Sequence, residues 1–214
     1  MEYCDVLVVG GGPGGLAAAK AARECGLQRV VVLERNLHVG GILNQCVHDG
    51  FGLIRYRKQL TGTEYAAYAQ KETLDAGAEI WPGNLAVDIT SERIVTSISR
   101  EGIKKVQAGV IILATGCRER TRGAISIPGT RPAGIFTAGV AQELINVHNI
   151  IVGKQIVIIG SGDIGLIMAR RLTLEGAKVK AVIEVMSQPS GLARNIQHAA
   201  RKDPSDISLK KTIC

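Results

Sequence analysis

At the start of this sequence, the residues whose type and spacing could do chemistry are glycines followed by an acid. Val8–Gly15 reads VVGGGPGG, so Gly10, Gly12 and Gly15 have the spacing G-x-G-x-x-G. In such a turn the first glycine allows a tight bend and the second lets a pyrophosphate approach the backbone. The third lets a helix pack closely on a strand. Glu34 stands where a carboxylate can accept hydrogen bonds from a ribose diol, so the pattern predicts a dinucleotide-binding turn.

The segments around this turn carry the signals of a strand, a helix and a second strand. Asp5–Val9 is a β-branched run with no polar face, which is typical of a parallel strand covered on both sides. Leu16–Cys25 is rich in alanine and other helix formers, and Gly26 is placed to end the helix. Val30–Leu33 predicts a second strand, which ends on Glu34. The N–H groups and the partial positive charge of the helix start would then face the phosphates.

The same unit occurs a second time in the chain. IIGSGDIG at Ile158–Gly165 repeats the glycine spacing, between a predicted strand at Gln155–Ile159 and a predicted helix at Leu166–Glu175. The next predicted strand, Val179–Ile183, also ends on an acid, Glu184. The turn, the glycine that ends the helix and the acid each recur at an interval of 150 residues. This recurrence predicts two mononucleotide-binding units and therefore two bound dinucleotides.

A different pattern lies between the two units. TGTE at Thr61–Glu64 has the spacing of a capping box and predicts a helix to about Asp75, with Gly77 beyond its end. From Leu85 onward, apolar and polar residues alternate between turn-like segments. This alternation predicts a small antiparallel meander over about 85–109, polar on one face.

The run VIILATG, Val110–Gly116, predicts another fully buried strand. In sheets of this kind, ligands lie beyond the carboxyl ends of the strands. Ala114, Thr115 and Gly116 are small enough there to let a cofactor lie against the backbone. The other interpretation is a strand that simply ends in a turn.

Composition excludes several other classes of protein. The net charge is +7, but basic residues are scattered, aromatic residues make up 3%, and no nucleic-acid-binding signature is present. We therefore expect a solvated basic surface that attracts phosphate-bearing ligands rather than a nucleic-acid partner. The five cysteines form no local pair, so neither a disulfide framework nor a metal site is expected. No apolar run is long enough to span a bilayer and the start has no basic leader, so we expect a cytoplasmic protein.

The sequence resembles the flavoproteins with two dinucleotide-binding domains, the pyridine nucleotide-dependent FAD oxidoreductases related to thioredoxin reductase. VVGGGPGG with Glu34, the pair Gly40–Gly41, ATG and GSGDIG with Glu184 carry the resemblance. GGILNQCVHDGFG, ATGCRER, IPGTRPAGIFTAG and GSGDIGLIMARRLTLEGA resemble a bacterial subgroup that often accompanies glycerol-3-phosphate dehydrogenase-like proteins. The resemblance extends to about Ile196.

The resemblance implies FAD in the first unit and NAD in the second. It implies an α/β protein of Rossmann-like fold, with a FAD-binding domain over 1–149 and a partial NAD(H)-binding domain over 150–214. The predicted cofactor-binding residues of the first unit are Gly10, Gly12, Pro13, Gly14, Gly15, Glu34, Arg35, Gly40, Gly41, Ala114, Thr115 and Gly116. Those of the second unit are Gly160, Gly162, Asp163, Ile164, Gly165 and Glu184.

The implied reaction is hydride transfer between NAD(H) and flavin, with electrons passed to or from an unidentified partner. The alternative is a non-catalytic dinucleotide-binding fragment, or an accessory subunit that needs a partner dehydrogenase chain. Only 49 residues follow Gly165, fewer than the ~100 of a complete doubly wound domain. We therefore expect either a fragment or completion by another chain.

The cysteines depart from the pattern of the disulfide-reducing members, which carry a cysteine pair. Here Gly40–Gly41 is followed by the single Cys46, and no C-x-x-C follows GSGDIG, so dithiol chemistry is not expected. Cys46 and His48 have two interpretations: residues beside the flavin with His48 as a proton relay, or a buried thiol and a loop histidine bonded to the backbone. No catalytic residue is assigned.

Overall fold

The computed structural model describes residues 1–200 and 208–211. The chain divides into two compact units, Met1–Arg118 and Glu119–Cys214. This division places 119–149 with the second unit, whereas the predicted domains meet between Asn149 and Ile150. The assignment of domains by ligand stays a prediction, because a division by packing does not show which cofactor each unit binds.

The first unit is a six-stranded sheet with helices and a small hairpin. Its elements are β1 (Glu2–Val9), α1 (Pro13–Glu24), β2 (Val30–Glu34), a 3₁₀ helix (Gly41–Gln45), β3 (Asp49–Phe51), β4 (Leu60–Thr61), α2 (Gly62–Asp75), β5 (Glu79–Pro82), β6 (Leu85–Ile89), β7 (Ile94–Ser99) and β8 (Gly102–Leu113). The strand order is β5-β2-β1-β8-β7-β6. Strands β5, β2, β1 and β8 pair in parallel, whereas β6, β7 and β8 form the predicted antiparallel meander.

The strand β8 joins the parallel and antiparallel parts of this sheet. Its first residues pair antiparallel with β7, and from Val106 to Leu113 it pairs parallel with β1. The expectation that VIIL is fully buried is wrong, because Val110 is 53% exposed and Leu113 is 66% exposed. Helix α1 packs mainly over β1 and β2, so on its side of β8 Ile112 joins the core while Val110 does not.

The core of the first unit lies on both faces of β1. Val6 and Val8 pack under α1, whereas Leu7 and Cys4 pack towards the meander.

Helix α2 begins with the predicted capping box. The Thr61 hydroxyl accepts a hydrogen bond from Glu64 N at 3.3 Å, and the Glu64 carboxylate accepts one from Thr61 N at 2.7 Å. The prediction of this helix and its end at Asp75 is confirmed.

The second unit is a three-stranded parallel sheet with helices. Its elements are α3 (Ala138–Asn146), β9 (Gln155–Ile159), α4 (Asp163–Leu174), β10 (Lys178–Glu184), α5 (Ala193–Ala200) and β11 (Ser208–Lys211). The strand order is β11-β10-β9, and the core contains Ile145 of α3, Met168 and Leu172 of α4 and Val182 of β10. The predicted α/β fold with a mainly parallel sheet and a small antiparallel part is confirmed. Within the described residues, no helix has the length and apolar content that a membrane crossing needs.

Candidate dinucleotide-binding sites

The first glycine turn connects β1 to α1 and depends on glycine at two positions. Gly10 has φ 109° and donates its N–H to the Leu33 carbonyl oxygen at 2.8 Å. A Cβ at Gly10 would overlap the carbonyl oxygen of Ala114, and one at Gly15 would overlap that of Gly10. Both glycines are therefore needed to form the bend and to seat α1 on the sheet.

Gly12 is glycine for a different reason. It precedes α1 with extended backbone angles, φ −73° and ψ 178°, and a Cβ built there meets nothing within 4 Å. Pro13 occupies the first helical position, where no N–H is needed, and no acid lies in the first turn. The space in front of α1 is therefore open to an anion, and the helix start favours one electrostatically. Gly14, which is exposed, has the same open space around it.

Glu34 lies at the end of β2, only 5% exposed, with both carboxylate oxygens held by backbone donors. Its Oε2 accepts a hydrogen bond from Gly11 N and its Oε1 accepts one from Asn36 N, both at 2.8 Å. A carboxylate has about four acceptor positions, so one position on each oxygen remains for ribose hydroxyls. Arg35, the next residue, is exposed.

Two further predicted segments lie at the same turn. Gly40 donates its N–H to the Gly11 carbonyl oxygen at 2.8 Å, and a Cβ at Gly41 would lie 3.1 Å from the Gly12 Cα. Ala114 follows β8 and donates its N–H to the Val9 carbonyl oxygen at 2.8 Å. Thr115 and Gly116 continue from it and are exposed. The fold thus gathers the first set of predicted residues at the carboxyl edge of the parallel strands.

The second turn, between β9 and α4, repeats these hydrogen bonds 150 residues later. Gly160 has φ 101° and donates its N–H to the Ile183 carbonyl oxygen at 2.8 Å. Gly162 precedes α4 with φ −65° and ψ 168°, and a Cβ there also meets nothing within 4 Å. A Cβ at Gly165 would lie 2.8 Å from the Gly160 carbonyl oxygen. The glycine roles of the first turn therefore recur in the second.

The acid recurs in the same way. Glu184 Oε2 accepts a hydrogen bond from Ser161 N at 3.0 Å, and its Oε1 accepts one from Met186 N at 3.0 Å. These are the positional equivalents of the Gly11 and Asn36 bonds to Glu34. The Met186 N–H, and then the hydroxyl and N–H of Ser161, lower the pKa of Glu184 from 4.5 to about 2. The carboxylate is therefore ionised at neutral pH.

The second turn differs from the first at its helix start. Asp163 stands where the first unit has Pro13, and its Oδ1 accepts hydrogen bonds from Asn195 Nδ2 and Leu192 N, each at 2.7 Å. These two bonds, the Asn195 amide foremost, lower the pKa of Asp163. Ile164, the next residue, is half exposed. The segment after β10 is thereby fastened to the start of α4.

Sequence reasoning missed Ser161, Gly191 and Asn195. Ser161 is fully buried and Gly191 donates its N–H to the Ser161 carbonyl oxygen at 3.0 Å. Aligning the two copies at their interval of 150 residues would have drawn attention to Ser161, since Gly11 occupies the equivalent place. For Asn195, no pattern in the sequence indicates its bond to Asp163.

Cys46 and His48 make the backbone contacts of the second interpretation given above. Cys46 Sγ donates to the Ile42 carbonyl oxygen at 3.3 Å, and burial raises the pKa of this thiol. His48 Nδ1 lies 3.1 Å from the Asp49 carbonyl oxygen, to which it can only donate. A thiol with a raised pKa is a poor nucleophile at neutral pH. The roles of Cys46 and His48 stay predictions.

Two glycine turns, each between a parallel strand and a helix and each facing an acid on the next strand, define a Rossmann-type nucleotide-binding protein. Residues 4–207 match the family described as pyridine nucleotide-disulphide oxidoreductase, so the chain belongs to that family. It is therefore related to oxidoreductases, as the family resemblance implied.

The chain is similar to parts of longer proteins. It is 29% identical over 204 residues to the alpha subunit of sarcosine oxidase from Corynebacterium sp. (strain P-1), covering 89% of this chain and 20% of that protein. It is 28% identical over 193 residues to the A subunit of opine oxidase from Rhizobium meliloti, covering 86% of this chain and 35% of that protein. The chain thus spans about a fifth and about a third of these two relatives.

Among solved structures, thioredoxin reductase of Lactococcus lactis has a similar fold. The TM-score is 0.68 at 20% identity, over 97% of this chain and 64% of that one. At this identity the likeness shows the fold alone.

Proposed function

We propose that this chain is the dinucleotide-binding part of an FAD-dependent oxidoreductase, with FAD in the first unit and NAD(H) in the second. The observation that carries the proposal is the recurrence of one set of backbone hydrogen bonds around two glycine turns, each with an ionisable acid at the ribose position. Both turns fit the group they would hold, because Gly12 and Gly162 each face open space in front of a helix start.

The order of the two cofactors rests on the family resemblance and is supported by how the turns differ. Gly40, Gly41 and Ala114 converge on the first turn, and no acid lies in the first turn of its helix. The second helix begins with Asp163, whose charge opposes a phosphate at the same place. We therefore expect the first unit to hold its dinucleotide more tightly, as a resident cofactor requires.

The protein's contribution to the reaction is binding, orientation and electrostatics. When bound, the nicotinamide and flavin rings supply hydride transfer between nicotinamide C4 and flavin N5. The starts of α1 and α4 bind the pyrophosphates, and Glu34 and Glu184 accept hydrogen bonds from the ribose hydroxyls. No side chain of the chain is assigned a proton-transfer step, and the electron acceptor or donor is proposed to be a separate molecule.

The test of FAD binding uses the full chain. Added FAD should raise the melting temperature, and the rise should grow with the logarithm of the FAD concentration above the dissociation constant, because the ligand binds only the folded form. The visible spectrum of the bound flavin and its extraction would identify the cofactor. An unchanged melting temperature at saturating FAD would show that the first unit does not bind it.

The second unit should prefer NAD(H) to NADP(H). A 2′-phosphate near Glu184 would meet a like charge and lose the hydrogen bonds of the ribose hydroxyl. The residues after Glu184, VMSQPSGLA, contain no lysine or arginine before Arg194. Titrating the protein with NADH and NADPH, then repeating with Glu184→Ala, tests this. Equal affinities in the parent protein, or a preference that survives in the variant, would remove Glu184 from the site.

The names of the two relatives favour a second candidate function. Both relatives are named as subunits, one of sarcosine oxidase and one of opine oxidase, which supports an accessory role in which this chain binds dinucleotides for a partner chain. Anaerobic addition of NADH to the FAD-loaded protein separates the two functions. Bleaching of the flavin absorbance supports the complete oxidoreductase, whereas binding of both ligands without bleaching supports the accessory role.

Either function would operate in the cytoplasm, where free thiols such as Cys25 and Cys117 persist.

A further inference from the structure

Ser161 is the residue of the second glycine turn, Gly160–Gly165, whose side chain contacts Glu184. It is fully buried, and its hydroxyl donates a hydrogen bond to Glu184 Oε2, the oxygen that also accepts the Ser161 N–H. The same hydroxyl oxygen accepts a hydrogen bond from Ser190 N at 3.1 Å. Ser161 therefore connects the glycine turn, the acid and the segment that follows β10.

The first unit has no such contact. Gly11 occupies the equivalent position and offers only its N–H to Glu34. Glu34 is buried, so the surrounding residues already restrict its side chain, whereas Glu184 is partly exposed. An exposed glutamate has rotamer freedom that must be lost before it can bind a ligand in one geometry. A hydrogen bond from a buried neighbour removes that freedom in advance.

The two carboxylate oxygens of Glu184 differ in how many hydrogen bonds they already accept. Glu184 Oε2 accepts two hydrogen bonds from Ser161, and Oε1 accepts one from Met186 N; the Val185 N–H also acts on this carboxylate. Since each carboxylate oxygen has about two acceptor positions, Ser161 fills Oε2, and a ligand hydroxyl would bond to Oε1. The Ser161 hydroxyl thus adds to the backbone bonds that orient the carboxylate, and it leaves Oε1 as the less occupied oxygen.

We propose that Ser161 is a positioning residue for specificity: it holds Glu184 so that Oε1 receives the adenosine 2′-hydroxyl of NAD(H). The proposal rests on the proposed function of the second unit. It differs from that function in assigning the discrimination between NADH and NADPH to a pair of residues rather than to Glu184 alone.

The test compares Ser161→Ala, Glu184→Ala and the double variant in the full chain, using NADH and NADPH as probes. Ser161→Ala should weaken NADH binding by up to about tenfold, the cost of ordering one side chain when the ligand binds. NADPH binding should change by less than about twofold, because the 2′-hydroxyl contact is absent from it. In the Glu184→Ala background the serine substitution should have no further effect on the ratio of the two affinities. Should Ser161→Ala fail to fold, Ser161→Gly reproduces the residue that the first turn tolerates.

A matched ligand separates positioning from a general structural role. NADH that lacks the adenosine 2′-hydroxyl should bind the parent protein and Ser161→Ala with equal affinity. If Ser161→Ala instead weakens NADH, NADPH and the deoxy ligand alike, Ser161 only maintains the turn and the proposal is overturned. The proposal is also overturned if Ser161→Ala changes the ratio of the NADH and NADPH affinities by the same factor in the Glu184→Ala background as in the parent protein. A parent protein that binds neither nucleotide would overturn the nicotinamide assignment itself, which is a different result from a preference that ignores Ser161.

Discussion

Single residues decide what each turn can hold. Gly10 and Gly15 are fixed by the protein's own backbone, since a side chain would overlap a carbonyl oxygen nearby. Gly12 and Gly162 are not fixed in this way, because a Cβ at either position has open space around it. Under the proposed function, glycine at these two positions leaves the space that a pyrophosphate would occupy. This contrast is what makes Gly12 and Gly162 the most informative positions to change.

Exchanging the two open glycines for valine should separate the two ligands. Gly12→Val should abolish FAD binding and leave NADH binding intact, because the side chain would occupy the space of only one pyrophosphate. Gly162→Val, its matched control, should do the reverse. Both backbones are extended, so valine is tolerated and the melting temperature of the unliganded protein should stay nearly constant. Flavin fluorescence and NADH titration measure the outcome, and parent-like FAD affinity in Gly12→Val would show that Gly12 does not face the cofactor.

The residues around the acids show where prediction from sequence reached its limit. Glycine spacing and the acid at the strand end were recognisable because each has a local physical requirement. The bonds of Ser161 to Ser190 and of Asp163 to Asn195 join residues about thirty positions apart. Neither residue type announces such a partner, so these bonds could be found only in the folded chain.

At the scale of helices and strands, the order and type of the main elements were predictable, but the helix starts were not. Both nucleotide-unit helices begin three residues before the predicted start, at Pro13 and Asp163 rather than at Leu16 and Leu166. The predicted starts followed the apolar run, whereas proline and aspartate are suited to the first helical position. The burial of β8 was mistaken because β-branched residues indicate a strand but not which of its faces is covered.

The capping box of α2 should stabilise the protein measurably. Thr61→Ala removes the acceptor for Glu64 N and should lower the free energy of unfolding by about 1 kcal/mol. Thr63→Ala is a control for the hydroxyl alone: it removes an exposed hydroxyl that lies 3.1 Å from the Thr61 hydroxyl and keeps both capping bonds. Urea unfolding of the three proteins decides the matter. Equal losses in the two variants would mean that the cap contributes nothing specific.

For the whole molecule, the division into two compact units predicts where each ligand protects the backbone. FAD should slow amide hydrogen exchange within Met1–Arg118, around Gly10–Gly15 and the segment at Gly40. NADH should slow exchange in the second unit, around Gly160–Gly165 and the residues after Glu184. Mass spectrometry of peptides from the full chain measures both effects. If FAD slowed exchange in the second unit and not in the first, the assignment of the two cofactors would be reversed.

The hydrogen bonds that recur at an interval of 150 residues also bear on the history of the chain. Two units with the same donors and acceptors at the same spacing are what a gene duplication leaves behind. The contacts of Gly10 and Gly160 are the same in both copies and form the turn itself. The copies differ at Gly11 against Ser161 and at Pro13 against Asp163, which is where the proposed suiting of each unit to a different nucleotide would lie.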